Sequence, residues 1–162
     1  MTFEELTSKY SDLLPEHIGF QCEPGWAGIL DQYFAVVARE LPPGATYEVA
    51  QIKEKLGTLR IYDSSYSETL SSLTAVAEAH ALAEARSLHT CEYCGARGRF
   101  RKRRGYLTVT CEEHATQNGA YAVPEEPEPR DYRQTSDGWI VYDPDVDQFI
   151  EAEPPEWTVD EK

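Results

Sequence analysis

No stretch of these 162 residues is both apolar and long enough to cross a bilayer as a helix, which excludes a helical membrane protein and predicts no membrane contact. The first residues, Met1 to Tyr10, lack the basic-then-apolar order of an export leader and carry Glu4 and Glu5 instead, so we expect an unexported protein. Cysteine is scarce. Three of the four fall in one short array and Cys22 is left single, which excludes a disulfide framework and fits a reducing cytoplasm. Cys22 itself is expected to be a core thiol. The sequence also lacks a glycine-rich phosphate loop, a nucleophile elbow and a metalloprotease helix. His17, His80 and His89 are unpaired in sequence, and His80 beside an apolar helix stripe reads as a packing histidine. Cations are few, 15 against 29 acidic groups for a net charge of -14, which argues against a general binder of polyanions.

What the sequence does contain is Cys91, Cys94, Cys111 and His114, a Cys-x2-Cys-x16-Cys-x2-His array. Three thiolates and an imidazole make the closed tetrahedral set that Zn2+ prefers, and each two-residue spacer lets a tight turn aim two ligands at one point. Four such ligands leave no open position for water or substrate, so a structural zinc ion is expected rather than a catalytic one. A redox Cys91/Cys94 pair leaves Cys111 and His114 unexplained.

Charge is unevenly spread. From Gly119 to Lys162 there are 13 acidic and 3 basic residues, a tail of net charge -10. Conversely, Arg97, Arg99, Arg101, Lys102, Arg103 and Arg104 place six of the 15 cations within eight positions, between the two halves of the array. These residues with Arg60 form the expected basic contact surface. Asp143, Asp145 and Asp147 form an acidic row whose two-residue period in a strand, about 6.6 to 6.8 Å, is close to the rise between phosphates along a nucleic-acid strand. The tail can also fold back so that Glu125, Glu126, Glu128 or the aspartate row covers the arginines. An EF-hand is discounted, because the glycine and distal glutamate that it requires are missing around Asp147.

The pattern predicts an α+β fold, with helices packed on a short β-hairpin, a zinc-ribbon or treble-clef-like knuckle, and an acidic C-terminal extension. Thr2 to Leu14 reads as a helix with a Thr2/Glu5 capping box and a stop at Pro15. Trp26 to Leu41 reads as a core helix through Trp26, Ile29, Leu30, Tyr33, Phe34 and Val37. Tyr47 to Lys53 and Thr58 to Tyr62 read as a hairpin turning at Gly57. Glu68 to Leu88 reads as the longest helix, its stripe running through Leu70, Leu73, Ala77, Ala81, Ala85 and Leu88. Arg99 to Thr110 is expected to be the hairpin of the knuckle. We therefore divide the chain into an α+β domain, residues 1-118, containing the knuckle at 90-115, and an acidic proline-rich extension, residues 119-162. The extension is expected to dock in part, as a strand or hairpin near Trp139 to Ile150.

Three blocks carry a resemblance: Cys22-x2-Gly25-Trp26, the run Gln51-Ile52-Lys53-Glu54-Lys55-Leu56-Gly57-Thr58-Leu59-Arg60-Ile61-Tyr62, and Thr90-Cys91-Glu92-Tyr93-Cys94-Gly95 with Cys111-x2-His114. From Phe20 to His114 the chain resembles a family of small uncharacterised bacterial and phage proteins with C-G-D-G-W, Q-V-K-E-K-F-G-G-L-R-F-Y and T-C-E-x-C-G elements. It departs where Glu23-Pro24 replaces Gly-Asp and where Thr58 replaces the second glycine. The resemblance implies the zinc site and the α+β layout, and no particular activity.

These readings converge on a non-enzymatic, zinc-stabilised protein that binds another protein, in a host-interaction or anti-defence setting suggested by the bacterial and phage relatives. Its place would be the cytoplasm, or the host cytoplasm if a phage encodes it. The alternative is a nucleic-acid-binding knuckle that uses the Arg97 to Arg104 run, with Tyr93, Phe100 and Tyr106 near enough to stack on bases. A nuclease-like enzyme around Gln51-x-Lys53 ranks lower, since no Pro-Asp strand precedes it.

Overall fold

The computed structural model describes residues 1-66 and 70-158, with the backbone alone for 65-66 and 70-73. It is a mixed α+β structure with three α-helices and several small sheets among the described residues. Helix α1, Phe3–Lys9, opens with the expected reciprocal capping box, Thr2 Oγ1 accepting from Glu5 N and Glu5 accepting from Thr2 N. It ends well before Pro15. Tyr10 leaves the helix and donates its hydroxyl to the Asp31 carbonyl at 2.9 Å, and turns then carry the chain to the buried Leu14.

Strand β1, Phe20–Gln21, and a single 3-10 turn, Pro24–Trp26, lead into α2, Ala27–Glu40. All six apolar positions read from the sequence of this segment are buried. Strands β2, Thr46–Lys55, and β3, Thr58–Tyr66, form a hairpin longer than its apolar pattern, with β1 added in parallel beside β2. The turn places Leu56 at φ 54° and Gly57 at φ 80°, the left-handed pair that a two-residue turn between right-twisted strands requires. Ile52, Leu59 and Ile61 are buried, and one core joins them to Leu6, Trp26 and Phe34. Asp63 fastens this core at its edge by accepting the hydroxyls of both Tyr33 and Tyr47, the latter at 2.6 Å. Burial, with that carboxylate beside them, pushes both phenols up.

Helix α3 runs from Leu70–Ser87. Glu68 lies outside the described residues, as do the side chains of Leu70 and Leu73. The expected stripe holds only in part: Ala85 is buried, but Ala77 is exposed, and Val76, Ala79 and Ala83 enter the core. Alanine at every second position, from Ala75 to Ala85, puts small apolar groups on all sides, so composition alone does not choose a face. His80 bonds the Ile61 carbonyl at 2.7 Å and packs edge-on against Tyr33.

Beyond α3, strands β4, Arg99–Arg103, and β5, Tyr106–Thr110, form the second hairpin. Arg104 (φ 48°) and Gly105 (φ 89°) repeat the turn geometry of Leu56 and Gly57. A small ladder follows, β6, Thr116–Gln117, with β7, Ala120–Tyr121; then β8, Val123–Pro124, pairs with β4. Strands β9, Tyr132–Thr135, β10, Gly138–Asp143, and β11, Gln148–Ala152, make an antiparallel meander. The meander lies against the C-terminal half of α3: Arg133 reaches Glu84 at 3.1 Å and the Ala81 carbonyl, and Arg86 grips Asp147 through two bonds of 2.7 and 2.8 Å. No helix among the described residues is long and apolar enough to cross a membrane.

Candidate metal centre and the charged groups around it

Cys91 and Cys94 sit in a turn closed by two backbone bonds, Gly95 N to Cys91 O at 2.9 Å and Cys91 N to Ala96 O at 2.7 Å. Gly95 takes φ 76°, the left-handed conformation that lets so tight a turn close. Cys111 and His114 sit in a second turn, directly after β5, so the hairpin carries the two loops to the same end. The four donor atoms lie within 4.8 Å of one another. Cys94 Sγ is 3.7 Å from Cys111 Sγ, and His114 Nδ1 is 3.7 Å from Cys91 Sγ and 3.2 Å from Cys111 Sγ. Such sulfur separations are far beyond the disulfide bond length of about 2.05 Å, so the group is a set of thiols and an imidazole able to hold a metal ion. Burial pushes the Cys91 thiol up, but N–H groups of Cys111, Cys94 and Tyr93 aimed at its sulfur outweigh this and hold it below the ordinary thiol value.

Strand alternation separates the cations of the basic run. On one face of β4, Arg101 is a buried clamp, only 3 % exposed, rather than part of a basic surface. Its guanidinium donates to the carbonyls of Thr110 (3.2 Å) and Ala122 (3.1 Å), to the Tyr121 hydroxyl (3.0 Å) and to Glu112 (2.8 Å). A fork of five donors fits this arrangement, which one ammonium would not. Arg103, on the same face, donates to the carbonyls of His114 and Ala115 at 3.1 Å and to Gln117 at 3.0 Å, and so holds the second ligand loop in place. Gln117 also accepts from Tyr93, whose ring stacks on that of His114. Arg99 pairs with Glu126, while Arg97 reaches Asp145 at 3.4 Å and the Pro144 carbonyl at 3.3 Å. Arg60 turns away from the run toward Glu84, at 3.5 Å. Lys102 and Arg104 have no acidic partner among the described residues.

The acidic row is divided as well. Asp147 is bound by Arg86 and the Tyr142 hydroxyl, which hold its carboxyl below the usual range; Asp143 accepts from Asp145 N at 2.8 Å; Asp145 faces Arg97. The folded-back alternative therefore describes the contacts of Arg97 and Arg99, and a continuous phosphate-like edge is not formed.

Sequence reasoning did not anticipate how the metal-binding loops sit on the core. Gly25 N donates to Glu92 O at 2.7 Å and Trp26 Nε1 to Thr90 O at 2.9 Å. A Cβ on Gly25 would collide with the carbonyls of Cys91 and Glu92, and one on Gly57 would come within 2.8 Å of Phe100 and 3.2 Å of Leu107. The first and third blocks that carry the resemblance thus touch, and the second packs through Gly57 on the hairpin between the two ligand turns. Beside this seat Cys22 is partly buried, its thiol pushed up to about 12 mainly by burial. Compared with known proteins, the chain matches no family model, no curated sequence and no solved structure.

Proposed function

We propose that this is a non-enzymatic protein, held by one structural zinc ion, that works by binding another protein. The observation that carries this reading is the closed donor set. For Zn–S bonds of about 2.3 Å the sulfur–sulfur edge of a tetrahedron is about 3.8 Å, which the 3.7 Å at Cys94/Cys111 matches, and the sulfur–nitrogen separations of 3.7 Å at Cys91/His114 and 3.2 Å at Cys111/His114 bracket the edge of about 3.5 Å expected for a Zn–N bond of about 2.05 Å. Four protein donors of this softness fill the coordination sphere of zinc, which is the arrangement of a structural site. The two ligand turns, the hairpin between them and the β6–β7 ladder after the second turn support the zinc-ribbon form of this reading. A treble clef would need a helix after Cys111, and the described residues there form turns and short strands.

A protein partner is favoured over nucleic acid because four of the six cations of the run are already engaged within the chain, Arg101 and Arg103 on Thr110, Glu112 and His114, and Arg97 and Arg99 in exposed pairs with Asp145 and Glu126. The resemblance to bacterial and phage proteins makes host interaction or anti-defence the setting of this reading, in the cytoplasm of the cell concerned. The test has two arms. Elemental analysis of protein purified without chelator should return one zinc per chain, and cross-linked capture from the native host should recover one specific protein, with capture lost in Cys111→Ser. Absence of stoichiometric metal, or a catalytic turnover abolished by Lys53→Ala with folding intact, would overturn the reading.

A further inference from the structure

Strands β1, β2 and β3 make a sheet with two unlike faces, and their register assigns each side chain to one of them. Ile52 opposes Ile61 and Glu54 opposes Leu59 on the inner face, where Ile52, Ile61 and Leu59 are buried in the core. The alternate pairs, Gln51 with Tyr62, Lys53 with Arg60 and Lys55 with Thr58, therefore point the other way. Gln21, the β1 neighbour of Lys53, joins this outer face by accepting from Gln51 Nε2 at 2.8 Å. Lys55 and Tyr62 are exposed there, and Lys53 and Arg60 are half-buried.

None of these residues is acidic, so one face carries three cations in a chain of net charge -14. Like charges directly opposite each other in an antiparallel pair cost stability, and Lys53 opposes Arg60 with Lys55 two residues on. Their contacts within the chain are weak. Lys53 lies over the Tyr62 ring at 5.1 Å, and Arg60 is 3.5 Å from a Glu84 carboxylate that Arg133 holds more closely, at 3.1 Å. Lys55 has no acidic partner among the described residues. The arrangement costs the fold and suits a negatively charged ligand.

We infer that this outer face docks an extended acidic segment of a partner protein, its carboxylates meeting Lys53, Lys55 and Arg60 and its polar groups meeting the amides of Gln21 and Gln51. The inference rests on the protein-binding reading and names its surface. Spacing supports it: Lys53 and Lys55 lie about 6.6 to 6.8 Å apart along β2, the interval at which another extended chain presents every second side chain to one side. Acidic protein fits better than a nucleic-acid strand, because Tyr62, the aromatic side chain among these pairs, already carries an ammonium where a base would stack.

The probe is a labelled peptide of alternating glutamate and threonine, measured by fluorescence anisotropy against the full zinc-loaded chain. It should bind, and Lys53→Glu should weaken it by about tenfold, with a further loss when Lys55→Glu is added. Lys53→Glu also turns a repulsive cross-strand pair into an attractive one, so the melting temperature should hold or rise; lost affinity with kept stability separates docking from folding. Arg39→Glu, the same charge change at an exposed position of α2, should leave affinity within about threefold. The inference is overturned by no binding, by equal binding when glutamine replaces glutamate in the peptide, by tighter binding of a single-stranded oligothymidylate of equal charge, by indifference to the two lysine variants, or by an equal loss in Arg39→Glu. A photo-cross-linker at position 51 distinguishes the two levels. A host protein captured through position 157 but not 51 would leave the protein-binding reading standing and remove this surface.

Discussion

Between Phe3 and Ser87 the molecule is held by apolar packing, with Leu6, Trp26, Leu30, Phe34, Val37, Ile52 and Leu59 all buried. Between Thr90 and Ala152, Val109, Val141 and Tyr142 are the large apolar groups buried among the described residues, and Ala115 and Ala122 are small. There the work passes to directional contacts: Arg101 and Arg103 gather carbonyls, Arg86 and Arg133 anchor the meander, and the Cys/His set joins two turns. Apolar packing degrades gradually, because neighbouring side chains relax into a gap. A polar clamp or a metal set does not, since each donor removed leaves acceptors without partners. The halves should therefore fail differently under the same insult.

The largest expected effect is metal removal. Structural zinc is worth about 10 to 16 kcal/mol in small zinc-binding peptides, so chelation, or Cys111→Ser, should abolish amide protection from Thr90 to Pro124 while α2 stays protected. Hydrogen exchange read by mass spectrometry checks this, and simultaneous loss in α2 would mean that the halves are one cooperative unit.

A smaller contrast comes from single side chains. Arg101→Lys should cost about 2 to 3 kcal/mol, because one ammonium cannot reach the carbonyls of Thr110 and Ala122 together with Glu112. Leu30→Ala, a simple cavity in the first half, should cost about 2 to 5 kcal/mol. Urea midpoints measure both, and the distinguishing sign is that only the arginine variant lowers metal affinity.

The smallest effect is expected from Asp147. Arg86 holds its carboxyl below the ordinary value of 3.8, so the pair contributes fully above the unfolded-chain value and is lost as pH falls through the lowered one. Asp147 is half exposed, so the contribution is about 1 kcal/mol or less. Acid titration followed by Trp139 fluorescence should show the meander loosening below about pH 4, and Asp147→Asn should remove that step.

How much of this was legible in the sequence follows from the range of the interactions involved. The capping box at Thr2, the core face of α2 and both hairpins rest on neighbours a few residues apart, and their residues state them directly. The Cys/His spacing placed all four candidate ligands for the same reason. Partly apolar strands near Trp139 also announced that the extension would not be wholly solvated. The face of α3 was hidden by alanines on every side. The fate of the arginines was half visible: the alternation of β4 separates Arg101 and Arg103 from Lys102, but what awaits each face comes from Thr110, Glu112 and Ala122, contributed by other parts of the chain. Least visible was the seat of Gly25 and Trp26 on the Thr90-Cys91-Glu92 segment, which joins positions more than sixty residues apart.

That seat is reciprocal. A methyl on Gly25 would strike the Cys91 and Glu92 carbonyls, and one on Gly95 would come 2.9 Å from the Gly25 carbonyl, so the two backbones meet with no space between them. Neither position accepts a larger residue without forcing the two segments apart. Genomic searches for kin of this protein would accordingly do better to demand both glycines, spaced as here, than the cysteine pattern by itself, which many unrelated modules share.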